Sequence, residues 1–485
     1  MSRIDIHCHP SIKPYGKSFS LNPSGQNSDN PSHSNSLYYY NKPTALDRFL
    51  NRMVMGLTKF TQTDFTTLHK GSFSVIIASL SPLEKQFITN LSGDNPIADG
   101  ISNLVTGIGK ARIEDVQSSV YRYFNDLKKD YAYYCQLNEK IITIDGQKVQ
   151  YKMVKSYSQI TEFQINPDVH TIFVFTSIEG GHALNNKNYK TYDRDDILDN
   201  IKTIKKWEFP PVFITLAHHF KNHLTGHAQS LTGVVDWMTN QEPDLNGELH
   251  QVGRDAIRLL LNEDTSIGKR CLIDIKHMSV KARKQYFEML ATEYAKQNIP
   301  IIVSHGAVNG QINAVSKQTS QIPNADTFYA ADINFYDDEI LTIARSTGLF
   351  GIQLDERRIA NSERLKESNL TFAIKRKRLL AKSALVWNQI QYIAQLLDKG
   401  GLNAWTMQAL GSDFDGIIDP VNLFWTAEDI ATLEENLLIH ATSFMEKHGS
   451  SLQPENRITP TEIVENFSFR NAENFLKRND TSIIA

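Results

Sequence analysis

The chain has 485 residues, 41% of them hydrophobic and 22% charged, with a formal net charge of −3. These figures suit a globular protein with a sizeable core and exclude disorder throughout. They offer no broad cationic field for a nucleic-acid backbone or an anionic membrane, so the expected partner is a small molecule, with no nucleic acid and no membrane.

The first strand-like run, Arg3–His7, begins almost at once in MSRIDIHCHP, with no apolar leader before it. Residues 14–42 follow, rich in Ser, Asn, Gly and Pro with a Tyr38-Tyr39-Tyr40 run; they read as a long loop within an inserted region spanning 14–60. A second apolar run is Phe73–Leu80. Residues 90–168 read as a second insertion, with a helix near 113–129 and a hairpin whose strands, Ile141–Ile144 and Val149–Tyr151, flank Asp145-Gly146. Six further runs come next: Thr171–Ile178, Val212–Ala217, Cys271–Ile275, Ile299–Ser304, Leu349–Leu354 and Met407–Gly411. Between them lie stretches with helical spacing, at Asp195–Trp207, Gln251–Leu261, Lys281–Gln297, Asp337–Arg345 and Lys375–Leu397. Eight buried strands alternating with helices predict a single α/β domain over 1–485, a (β/α)8 TIM barrel with insertions after the first strand and before the third. Thr459-Pro460-Thr461-Glu462 has a capping-box pattern and opens a last helix towards Lys477. Cys8, Cys135 and Cys271 are too few and too scattered for a disulfide framework, and no run approaches the roughly 20 apolar residues that span a bilayer. The expected location is the cytoplasm.

A barrel of this kind builds its site at the C-terminal ends of its strands, and ionisable residues gather there. The first run ends in His7 and His9, the third in Glu179, the fourth in His218, the fifth in His277, the sixth in His305 and the eighth in Asp413. His7 and His9 leave the same face of a strand and can share one ion, with Cys8 turned away. Glu179 precedes Gly180-Gly181, which permit a tight turn, and its carboxylate can bridge two cations; His182 reads as a loop residue supporting the site. His277 and His305 end neighbouring runs and can converge on one ion. Asp413 and Asp415 share a face if the chain stays extended, and either could move a proton. His218, His219, His223 and His227 recur at near-helical steps, but Asn222 and Thr225-Gly226 read as loop, so substrate contact by His218 is the better assignment. Singly, each residue has an ordinary structural explanation. The one-sided distribution is what argues for a site.

These segments together resemble the membrane (renal) dipeptidases of the amidohydrolase superfamily. The matching stretches are Asp5-Ile6-His7, Glu179-Gly180-Gly181-His182, Thr215–His218, Leu272–Ser279, Pro300–His305 and Gly411–Gly416, in family order along almost the whole chain. The resemblance implies a binuclear hydrolase of dipeptide-type bonds. His7 and His9 would bind one zinc, His277 and His305 the other, and Glu179 would bridge them. A metal-bridging hydroxide would attack while Asp413 shuttles the proton and His218 contacts the substrate. A homodimer is a candidate assembly. Three departures stand out: His9 replaces the family's Asp, no arginine precedes Asn334–Asp338, and the insertions are long. Arg357 or Arg358 could stand in for that arginine, although both read as solvated loop charges. Other readings are an amide, lactone or ester substrate lacking a free carboxylate, a mononuclear deaminase-like site without Glu179 as ligand, and a catalytically silent metal-binding barrel.

Overall fold

A computed structural model describes residues 2–44, 47, 60–87, 107–187, 190–231, 239–264, 266–370 and 372–480. Eight parallel strands lie in the order β1 (Arg3–Cys8), β2 (Phe73–Leu80), β5 (Val169–Glu179), β6 (Phe213–Thr215), β7 (Leu272–Asp274), β8 (Ile302–Gly306), β9 (Leu349–Ile352) and β10 (Gln408–Leu410). Just past β10 the ring closes onto β1, where His9 N donates to Phe414 O at 2.9 Å and Asp413 N to His7 O at 3.0 Å. The result is a (β/α)8 barrel. Its strands are apolar on both faces because side chains fill the inside and helices cover the outside; every residue of β1 is buried.

The covering helices include Arg194–Lys205, Gln251–Leu261, Val280–Glu293, Asp337–Arg345 and Lys375–Lys399. Gln251–Leu261 buries Val252, Ala256, Ile257, Leu260 and Leu261, the stripe that its 3.6-residue period predicts. The expected helix 281–297 stops earlier, at Glu293. Thr459 and Glu462 form the reciprocal capping box, and helical turns continue from Pro460 to Arg478. Among the described residues, no helix is long and apolar enough to cross a membrane.

The insertions depart furthest from expectation. Part of the first, 45–46 and 48–59, lies outside the described residues. The rest is no loose loop: Ile12–Ser18 is helical, and Leu37 and Tyr38 are wholly buried. Its polar composition hides a few apolar anchors. In the second, 90–106 lies outside the described residues, and the single helix expected near 113–129 is two, Lys110–Gln117 and Tyr123–Cys135. Extended backbone at Ser118 (ψ 151°) separates them. The hairpin forms as predicted, β3 (Ile142–Ile144) against β4 (Gln147–Met153), with positive φ at Asp145 and Gly146 as a type I′ turn requires. β4 then runs parallel to the first half of β5, extending the sheet beyond the ring. Asp126 joins the insertions, accepting from Tyr15 Oη at 2.8 Å, Tyr121 Oη at 2.9 Å and the Arg112 guanidinium.

Candidate metal centre

At the C-terminal rim of the barrel, four imidazoles turn their Nε2 atoms towards the Glu179 carboxylate. Oε1 lies 3.5 Å from His7, 3.6 Å from His277 and 3.6 Å from His305, and Oε2 lies 3.2 Å from His9. The Nε2 atoms of His7 and His9 are 3.1 Å apart, and those of His277 and His305 are 3.3 Å apart. Donors about 2.0–2.1 Å from a tetrahedral zinc stand about 3.3–3.4 Å from one another, so these spacings suit a cation between them. Four imidazoles and a carboxylate are also a donor set that zinc accepts.

Charge points the same way. Burial would raise Glu179, but the neighbouring His218, His7 and His9 hold it well below the usual carboxylate range. Burial pushes His277 and His305 well below the ordinary histidine value, leaving neutral rings with lone pairs to offer. Burial alone would lower His9 too; the Glu179 and Asp413 carboxylates outweigh it and carry His9 up to about 10. The two carboxylates thus favour positive charge at this spot.

Two serine–aspartate ties fix the rim. Asp5 accepts from His7 N at 3.1 Å, Ser412 N at 3.0 Å and Ser412 Oγ at 2.5 Å, binding β1 to the turn after β10. Asp274 accepts from Lys276 N and Ser304 N, both at 3.0 Å, from Ser304 Oγ at 2.6 Å and from Thr215 Oγ1 at 2.5 Å. These bonds set the strand ends that carry His7, His277, His305 and Asp413. His277 and Asp413 have left-handed backbone, φ 66° and 58°, a conformation that non-glycine residues hold only where their surroundings enforce it.

Asp413 faces the cluster, with Oδ1 3.3 Å from His9 Nε2 and 3.6 Å from His7 Nε2. Burial and the nearby Glu179 raise its pKa. Asp415 is placed elsewhere, correcting the idea that either aspartate could serve. It accepts from Lys13 Nζ at 2.6 Å and from Gln62 N and Thr63 N at 3.0 Å, and does not join the cluster.

His218 reaches the centre from past β6, with Nε2 3.7 Å from Glu179 Oε2, whereas His223 and His227 lie in an irregular loop as expected. His182 is buried beside it and bonds Pro82 O through Nε2 at 2.8 Å. The sequence reading missed Glu84, which lies four residues beyond β2 and behind Pro82; its Oε2 is 2.8 Å from His218 Nδ1. It also misplaced Arg358. That guanidinium is buried, donates to Ser230 O and lies 5.7 Å from the Tyr329 ring. Ser230 Oγ in turn meets His219 Nδ1 at 2.7 Å, and the His219 ring lies 5.4 Å from that of His277. Arg357 is committed to Asp355, with Nη2 to Oδ2 at 2.7 Å.

Comparison with solved structures places the architecture. The probable dipeptidase PvdM from Pseudomonas aeruginosa matches at a TM-score of 0.50 and 14% identity, over 87% of this chain and 89% of that one. The dipeptidase AC, a metallo peptidase of family M19, matches at 0.52 and 11% identity over 99% of each chain. The fold is that of these dipeptidases. No family model matches the sequence, and no curated protein does.

Proposed function

We propose that the chain is a metal-dependent hydrolase of dipeptide-type amide bonds. His7 and His9 would hold one divalent cation and His277 and His305 a second, with Glu179 the carboxylate common to both, and zinc is the first choice for this donor set. The observation that carries the reading is the convergence of four Nε2 atoms on one buried carboxylate, at separations suited to tetrahedral coordination. Two structural neighbours, a dipeptidase and a probable dipeptidase, support the same chemistry.

When bound, such a pair of cations lowers the pKa of water and polarises a carbonyl. Asp413 Oδ1, at the edge of the cluster, takes the proton from the attacking water and returns it to the leaving amine. His218 Nε2 contacts the substrate. Arg358 supplies the positive charge that the segment before Asn334 lacks, which favours a substrate with a free carboxylate over a neutral lactone or ester.

The test is metal analysis of the purified protein together with hydrolysis of a panel of dipeptides and N-acyl amino acids. About two ions per chain are expected, and Asp413→Asn should lose roughly 10²–10⁴-fold in kcat, the usual worth of a positioned acid–base group. One ion per chain, or equal turnover by wild type and Asp413→Asn, would overturn the assignment.

A further inference from the structure

Glu84 is buried at the barrel rim, and three groups on the loop after β6 converge on it. His218 Nδ1 lies 2.8 Å from Oε2, and the backbone amides of His219 and Phe220 donate to Oε2 and Oε1 at 3.2 Å each. The histidine contact is an ion pair by distance, bent outside the angle of a linear hydrogen bond. One carboxylate therefore fixes both a ring and the backbone that carries it. His182 closes the other side, its Nδ1 3.8 Å from Glu84 Oε1. Burial acts to raise Glu84, but His218 and His182 keep it below the usual range, so it is ionised.

We propose that Glu84 is a positioning residue for His218, holding the imidazole by Nδ1 so that Nε2 is the nitrogen presented to Glu179 and to the substrate. This rests on the reading of His218 as a substrate contact. An ionised carboxylate can only accept, so the nitrogen facing it keeps its proton. The His277 ring, edge-on to His218 at 4.9 Å between centroids, and the His219 ring at 3.8 Å limit rotation of the imidazole. Glu84, His218 and His219 could also hold a cation by proximity alone. Two backbone N–H groups already pointing at the carboxylate would oppose a positive ion there.

The test uses the metal-loaded full chain and the variants Glu84→Gln, Glu84→Asp, His218→Ala and the Glu84→Gln/His218→Ala double. Glu84→Gln should keep the wild-type metal content and lower kcat/KM about tenfold to a hundredfold, the range for a group that orients an active one. Glu84→Asp should recover part of the loss, and the double variant should be no worse than His218→Ala alone. Ring ¹⁵N resonances, with His218 assigned by its loss in His218→Ala, should show a protonated Nδ1 in wild type that Glu84→Gln no longer fixes. Multiplicative losses, an unchanged ring tautomer, or loss of metal in Glu84→Gln would each overturn the proposal. If wild type hydrolyses nothing in the panel, the dipeptidase reading fails, while the ring tautomer still decides the role of Glu84.

Discussion

Asp413 owes its position to a neighbour with no side chain. Its left-handed backbone turns the carboxylate back over Gly416, where an added Cβ would overlap Asp413 Oδ1. The obstacle is the end of a movable side chain, so Gly416→Ala should leave the barrel folded but displace the carboxylate. We expect kcat to fall about tenfold or more, since small misplacements of a reacting group are costly, with metal content and melting temperature nearly unchanged. A variant as active as wild type would mean that Asp413 has no fixed position to lose. At this scale the sequence was legible where a side chain sits at a strand end, as at His7, His9, Glu179, His277, His305 and Asp413, which the structure gathers at one rim. Glu84 was not, because its position depends on how the chain leaves β2 behind Pro82. Arg358 was not either: its burial is made by Ser230 and Tyr329, from loops remote in sequence.

Among elements, the turn after β10 is locked to the first insertion. Lys13, in the helix Ile12–Ser18, donates to Asp415 Oδ1 at 2.6 Å and to Phe60 O at 2.5 Å, with both charged residues buried. Breaking one partner of such a pair strands the other's charge away from water, at a cost of about 3–5 kcal/mol. Lys13→Ala should therefore lower stability by about that much in denaturant unfolding. Lys13→Met with Asp415→Asn, which removes both charges, should recover most of it. If Lys13→Ala proves neutral, the lock does not hold the insertion down. Regular strands and helices were legible because burial on both faces and 3.6-residue stripes leave repeating patterns. The insertions leave none, since their order comes from single contacts such as Lys13–Asp415 and Tyr15–Asp126.

For the whole molecule, the question is how far the barrel would depend on cations held at its rim. The apolar core runs through all eight strands and the helices around them and extends well beyond the rim histidines, so the chain should remain folded without ions. Cations that bind only the folded form still add stability, about 2.7 kcal/mol when free metal stands at a hundred times its Kd. A strong chelator should therefore lower the melting midpoint by a few degrees without abolishing the cooperative transition, and added zinc should restore it. His7→Ala, which removes a donor from the rim, should show a much smaller response to either treatment. A midpoint indifferent to chelator and zinc in the wild-type protein would mean that the histidines gather at the rim for packing alone. Complete unfolding in chelator would mean instead that the ions, and not the strands, hold the ring closed.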